Sequence, residues 1–490
     1  MTTDLKLQAI KSTGWLAASR LWVQAVSWVV TVVLVRLLTP SDYGLFAMAV
    51  AVIGFLEFFQ ELGLGTAIVQ RHTLGPQQIN AIFWLVSSIS LVLAIAAFLG
   101  GSLVASFYSE SRLTGLVKIL AIAFFTNSLA TVPHSLLTRE LDFRRRSFAD
   151  SAAVLAAAVT SVALAYAAYG VWALAIGQLV RACVRTGMLM AVCGWSPRAP
   201  MNFQGIRSTL AFGFNVAGSG FAGTLLTIVN TATIGRRLGG EMLGLFTVSN
   251  TLGMDSLNKI SGSLVHQVSL PVFAKLQDDT KTLSLYFLKI TKYIAIASLP
   301  LQIGLALVAR DLISVVLTER WLPAVRMLQA FAVCGVFFAI MLPCPALLVA
   351  RGRARLLLVL SSVHFVLAAS LVLLGTIAGV IGAVVAWIAV FIGMRLCQLK
   401  FSLSEIEIDL RTYLVNIASA ILSTLGMVFM VSAVELVLPH MSVATSLICK
   451  IGAGGATYVA VLMISDRQIG AELWSIARML VTPSSSLRRT

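Results

Sequence analysis

RLLTPSDYGLFAMAVAVIGFLEFFQELGLGTAIVQR, residues 36–71, decides the fold. An apolar run ends at Arg36, and Thr39-Pro40-Ser41-Asp42 supplies turn and helix-start residues, with proline pre-set for a first helical turn. A second apolar run from about Gly44 carries Glu57 and Glu61 and stops at Gly63-Leu64-Gly65. The pattern predicts a membrane hairpin with acid inside it. A charge at bilayer depth costs roughly 2.5 to 3.5 kcal/mol on insertion scales, so Glu57 needs a partner or a wet cavity.

The rest of the 490 residues agrees: 58% are hydrophobic and only 11% charged, less than half the charged share of a soluble domain. The chain is predicted to be an all-α polytopic membrane protein. Its net charge of +16 argues for topology rather than nucleic acid, because the basic residues sit in short loops beside apolar runs. Six cysteines and five histidines show neither CxxC nor HExxH spacing, so no metal site is expected and the cysteines read as small core residues. The first apolar run follows Lys6 and Lys11 as a signal peptide would, but its length and the span right after it predict a retained helix.

A span needs about 20 mostly apolar residues. On that measure helices fall at about 14–37, 44–63, 80–105, 115–137, 148–168, 170–193, 207–232, 241–266, 290–309, 325–349, 356–376, 378–400, 411–437 and 444–465, about fourteen in all. Alternate loops carry the basic residues, among them Arg139, Arg144, Arg145 and Arg146, then Arg351, Arg353 and Arg355, which predicts both termini on the cytoplasmic side.

A repeat is visible. Arg36-Leu37-Leu38 with Gly44-Leu45-Phe46 recurs 200 residues later as Arg236-Arg237-Leu238 with Gly244-Leu245-Phe246. Val132-Pro133 and Gly170 match Cys344-Pro345 and Gly382 at an offset of 212. This predicts a six-helix bundle over 1–199, a second over 200–405 and two extra helices with a cytoplasmic tail over 406–490. Six is even, so both bundles enter from one side as a parallel repeat.

Arg36 through Gly44, followed by Leu62-Gly63-Leu64-Gly65-Thr66-Ala67-Ile68-Val69-Gln70-Arg71, resembles the signature of the Wzx-type (WzxC-like) polysaccharide flippases of the multidrug/oligosaccharidyl-lipid/polysaccharide exporter superfamily. Leu270-Pro271-Val272-Phe273, Leu276-Gln277-Asp278-Asp279, Trp321 with Ala324, and Ala350-Arg351-Gly352-Arg353 extend the resemblance over roughly residues 10 to 400. Leu317-Thr318-Glu319-Arg320 departs from it, lacking a glycine before the acid. The resemblance implies a bacterial inner-membrane transporter, not an enzyme. It would move undecaprenyl-pyrophosphate-linked oligosaccharides to the periplasmic leaflet for exopolysaccharide or O-antigen (lipopolysaccharide) synthesis. A polysaccharide polymerase and glycosyltransferases would be its partners, along with membrane lipids.

The buried charges can be ranked by depth at 1.5 Å of rise per residue. Lys118, Lys292, Arg395 and Lys450 lie near helix ends and are expected to snorkel. Arg181 falls midway along its span with Arg185 one turn on, so a cavity-lining role is expected for both. Arg20 and Glu57 share a depth on consecutive helices and can pair, while Asp255 and Lys259 share a helix face. Arginine grips phosphate oxygens bidentately where water is scarce. Arg181, Arg185, Lys259 and Arg20 are therefore the candidate ligands of a lipid pyrophosphate, with Gln24, Asn215, Asn230, Asn250 and Asn258 as candidate glycan partners. Glu57, Glu61 and Asp255 are candidates either for proton or sodium coupling or for static ion pairing. No other cofactor is expected.

Gly218-Ser219-Gly220-Phe221-Ala222-Gly223 satisfies GxGxxG, but no strand precedes it, so small residues at a helix contact explain it better. The run Arg144-Arg145-Arg146 reads as an anchor against anionic lipid head groups. Two rivals stay open within the superfamily: a lipid-linked peptidoglycan-precursor flippase, and a drug or cation antiporter, against which the central arginines argue. An integral-membrane glycosyltransferase is disfavoured by the short outer loops.

Overall fold

The computed structural model describes residues 22–61, 65, 68–69, 74–140, 142–198, 206–255, 263–437 and 441–466. Ten helices among them are long and apolar enough to cross a membrane, and Trp22–Leu37 is a shorter apolar helix. We number them α1 (Trp22–Leu37), α2 (Pro40–Glu61), α3 (Pro76–Tyr108), α4 (Arg112–Ser128), α5 (Thr131–Arg139), α6 (Phe143–Tyr166) and α7 (Trp172–Cys193). There follow α8 (Ile206–Asn250), α9 (Ser263–Lys275), α10 (Thr280–Val316), α11 (Val325–Ile340), α12 (Cys344–Ala350), α13 (Ala354–Gly375) and α14 (Gly379–Glu405). The last three are α15 (Leu410–Asn416), α16 (Ala418–Val437) and α17 (Val443–Ser465). The all-α polytopic membrane architecture is thus as expected, with ten such spans among the described residues where about fourteen were counted over the whole sequence.

The quoted stretch folds as a capped hairpin. The Thr39 amide donates to Asp42 Oδ2 at 3.0 Å while the Asp42 amide donates to Thr39 Oγ1 at 3.3 Å, a reciprocal box that satisfies two donors at the start of α2. The other carboxylate oxygen accepts the Val171 amide at 3.1 Å. Asp42 therefore bolts the α1–α2 turn to the α6–α7 turn and is only 8% exposed. Gly170 sits beside it with φ of 56°, a left-handed conformation that favours glycine, and an Asp42 carboxylate oxygen lies 3.1 Å from where a side chain would start.

The repeat motifs recur as structure. The second hairpin motif falls at a break inside α8, where Gly239 takes φ 85° and ψ 174°, at the position 200 residues after Thr39. Helix continues up to that break, so the loop expected around Arg236-Arg237 is helical instead. Pro133 and Pro345 stand in α5 and α12, each a short helix following an interrupted one. One match needs correction. The turn glycine with positive φ in the later repeat is Gly379, with φ of 77°, and Gly382 lies inside α14. The turn glycines are thus 209 apart (379 − 170), because the connection ahead of α14 is shorter.

The chain groups into two compact units, Met1–Thr247 with Phe365–Val384, and Val248–His364 with Val385–Thr490. In the first, α6 packs on α7, α3 on α4, and α4 also contacts α2 and α7. In the second, Phe273, Phe287, Leu347 and Tyr413 are fully buried together, and the Tyr413 hydroxyl donates to the Ile340 carbonyl at 3.1 Å. Asp279 caps α10; hydrogen bonds from the side chain and amide of Thr282 hold its carboxyl below the usual range. The two C-terminal helices α16 and α17 pack against α10.

Lys450 and Arg395 are not snorkelling cations. Lys450 is 5% exposed, with its ammonium 2.8 Å from Asp311 and 3.4 Å from Glu435, because α17 turns that face onto α10 and α16. The Arg395 guanidinium lies 5.0 Å from the Phe338 ring centre and 5.2 Å from that of Phe391, and donates to Gln398 at 3.0 Å. Lys292 pairs with Asp466, and Lys118 lies 5.1 Å over the Phe98 ring.

Candidate functional site

Within the first unit, α2, α4, α6 and α7 each turn one face toward a common hollow. The lining positions follow the helical period: Val50, Ile53, Gly54 and Glu57 on α2; Leu120, Ala123, Phe124 and Asn127 on α4; Asp150 and Val154 on α6; Gln178, Arg181, Ala182 and Arg185 on α7. This chamber has a volume of about 450 Å³. A second chamber of about 500 Å³ shares Glu57, Asn127 and Arg185 with it and adds Gln60, His134, Ser135 and Thr138. The two meet at the three shared side chains.

Charge in the hollow is organised around Arg185. Its Nε donates to Asp150 Oδ1 at 2.9 Å, and a terminal nitrogen donates to Asn127 Oδ1 at 2.8 Å. The second oxygen of Asp150 lies 3.7 Å from Arg146 Nε, and Arg146 also donates to Thr138 Oγ1 at 3.2 Å. Thr138 in turn donates to the His134 carbonyl at 2.7 Å. Arg181 is exposed to the chamber and makes no ion pair or hydrogen bond among the described residues. Arg181 and Arg185 face the hollow with Glu57 and Asp150, Arg146 stands behind Asp150, and Gln178 and Asn127 lie alongside, a basic and amide-rich lining that suits an anionic ligand carrying hydroxyls.

Of the residues selected from sequence, Arg181, Arg185 and Glu57 all line the hollow. Arg20 and Lys259 lie outside the described residues, as do the side chains of Glu61 and Asp255. Asn258 and the side chain of Asn215 also fall outside them, and neither Gln24 nor Asn230 lines either chamber. The polar lining comes instead from Gln60, Asn127, Gln178 and His134, with Asp150 as the counter-ion, none of which the sequence reading selected. The available signal for Asp150 was its position four residues after Arg146 at the head of an apolar span. Arg146 itself is turned inward to Asp150 and Thr138 rather than outward as a lipid anchor; its neighbour Arg145 stays exposed beside Asp142. No group of three His, Cys, Asp or Glu side chains among the described residues is placed to hold a metal ion.

Known proteins share both the sequence pattern and the fold. Residues 33–326 match the family described as polysaccharide biosynthesis protein. The lipopolysaccharide biosynthesis protein WzxC of Escherichia coli K12 is 25% identical over 400 residues, covering 79% of each chain. The succinoglycan biosynthesis transport protein ExoT of Rhizobium meliloti is 23% identical over 487 residues, covering 98% of this chain and 97% of its own. Among solved structures, the lipid II flippase MurJ in an inward closed conformation superposes with a TM-score of 0.75 at 14% identity, covering 93% of this chain and 99% of its own. The chain belongs to the polysaccharide biosynthesis protein family and is a multi-pass membrane protein with the fold of the flippase MurJ.

Proposed function

We propose that the protein carries undecaprenyl-pyrophosphate-linked oligosaccharide units from the cytoplasmic to the periplasmic leaflet of a bacterial inner membrane, with both termini cytoplasmic. It does so by alternating access around a basic cavity and feeds exopolysaccharide or O-antigen assembly, working with glycosyltransferases and a polymerase. The observation that carries this reading is the face Gln178–Arg181–Arg185 of α7, which presents two guanidinium groups and an amide to the hollow. A lipid pyrophosphate has at least two negative charges, and planar guanidinium groups hold phosphate oxygens in pairs. Its lipid tail stays in the bilayer while amides and hydroxyls receive the glycan. Arg20 and Lys259 complete the cationic set. Glu57, Glu61 and Asp255 either couple transport to protons or sodium or balance these cations.

Replacing Arg181 with alanine tests the assignment, since that side chain makes no ion pair or hydrogen bond among the described residues. Polysaccharide export is lost while the amount of inserted protein stays the same; normal export from Arg181→Ala cells removes the reading. In a deletion strain the accumulating lipid-linked glycan should be a polysaccharide repeat unit, and accumulation of a peptidoglycan precursor instead would transfer the assignment to that substrate.

A further inference from the structure

Arg185 already has protein partners in the cavity. Its Nε is held by Asp150 Oδ1 at 2.9 Å and a terminal nitrogen by Asn127 at 2.8 Å, while Asp150 Oδ2 faces Arg146 at 3.7 Å. Each carboxylate oxygen serves one arginine, and α4, α6 and α7 meet at this contact. A bridging phosphate would use the same two cations in the same way. Arg181, one turn along α7, is the cation among the described residues left open to the chamber.

We propose that Asp150 is a built-in competitor for the anionic head group. It occupies Arg185 and Arg146 when the cavity is empty, yields them to an incoming diphosphate, and takes them back at release. A carboxylate brings one negative charge to the exchange. A diphosphate brings at least two and can satisfy Arg181 as well, so it displaces Asp150; a monophosphate gains less from the same exchange. Asp150 thereby sets a threshold that favours diphosphate over monophosphate lipids, a specificity obtained by competition rather than by added contacts. Release needs the same residue. Without a carboxylate in reach of Arg185 and Arg146 to recapture them, these cations around a dry phosphate would form a trap. The inference rests on the reading of the site as a diphosphate site.

The test uses the full chain in lipid nanodiscs with undecaprenyl pyrophosphate and undecaprenyl phosphate as separate probes. Wild type binds the pyrophosphate more tightly. Asp150→Asn tightens binding of the monophosphate by roughly tenfold, the effect of one charge-assisted hydrogen bond set free, and narrows the preference between the two lipids. In an Arg185→Gln background the same substitution loses most of that gain, which separates release of Arg185 from a general change in cavity charge. In cells, Asp150→Asn lowers export although binding is tighter. Should the Asn variant not purify as monodisperse protein, Asp150→Ser carries the same expectation. Unchanged or weaker binding in the folded variant overturns the competitor while leaving the site reading intact, and so does equal tightening without Arg185. Failure of wild type to bind the pyrophosphate at all overturns both.

Discussion

Gly44 and Gly244 face each other across a reciprocal contact: a side chain begun on Gly244 would lie 3.1 Å from the Gly44 amide nitrogen and would overlap the carbonyl oxygen of Pro40, while one begun on Gly44 would overlap the carbonyl oxygen of Gly240. Each residue therefore meets the partner that the 200-residue repeat assigns to the other. Such exchange of roles is the mark of a local two-fold relationship. The two GLF motifs are where the start of α2 and the second part of α8 come into backbone contact, and only a hydrogen at the α-carbon leaves room.

The first prediction follows from that crowding. Gly44→Ala and Gly244→Ala each force backbone apart, and overpacking of this kind costs about 1 to 3 kcal/mol. Both variants should unfold at lower temperature in detergent than wild type. Gly100→Ala is the control, since open space surrounds Gly100 within α3. It should be neutral or slightly stabilising, because alanine loses less backbone entropy in a helix. Equal behaviour of all three variants would remove the close-contact argument.

A second prediction concerns the bolt at Asp42. Asp42→Ala breaks the capping box and leaves the Val171 amide without its acceptor, a combined loss of about 2 kcal/mol. Asp42→Asn keeps an acceptor oxygen for one of these amides and should fall between Ala and wild type. Gly170→Ala meets the same joint from the other side and costs roughly 1 kcal/mol, through its left-handed backbone. Thermal unfolding checks the order. If Asp42→Ala melts with wild type, the carboxylate is not holding the two turns together.

Much of this was legible locally. The turn at Thr39-Pro40-Ser41-Asp42 and the spans depend on neighbours in the chain, on proline geometry and on apolar run length, and the GLF repeat on matching motifs 200 residues apart. The inward position of Arg181 and Arg185 was legible too, because depth along a helix and a four-residue spacing are read by counting. The partners of Arg185 were not. Asp150 and Asn127 reach it from α6 and α4, and which face each helix turns inward is decided by packing between helices distant in the chain. Arg146 shows the same limit: it belongs to a basic run that looks like a surface anchor, yet the helix started by Asp142 aims it at Asp150. The later-repeat turn slipped from Gly382 to Gly379 because a glycine-rich connection offers several equivalent matches.

The buried cluster on the C-terminal helices yields the last prediction. Lys450 is almost fully enclosed, and its ammonium satisfies Asp311 on α10 and Glu435 on α16. Taking two charges out of water is costly, so the pair adds little against an apolar replacement, but removing one member leaves the other uncompensated. Lys450→Met should therefore destabilise the protein by about 3 kcal/mol through the stranded Asp311 carboxylate, and Asp311→Leu by a similar amount through the stranded ammonium. The double variant Lys450→Met/Asp311→Leu should recover most of the loss, giving a large favourable coupling in a double-mutant cycle read by thermal unfolding. Glu435 is mostly exposed, so Glu435→Gln should change stability little. Additive losses in the double variant would show that the lysine acts through packing of its stem and not through its pairing with Asp311.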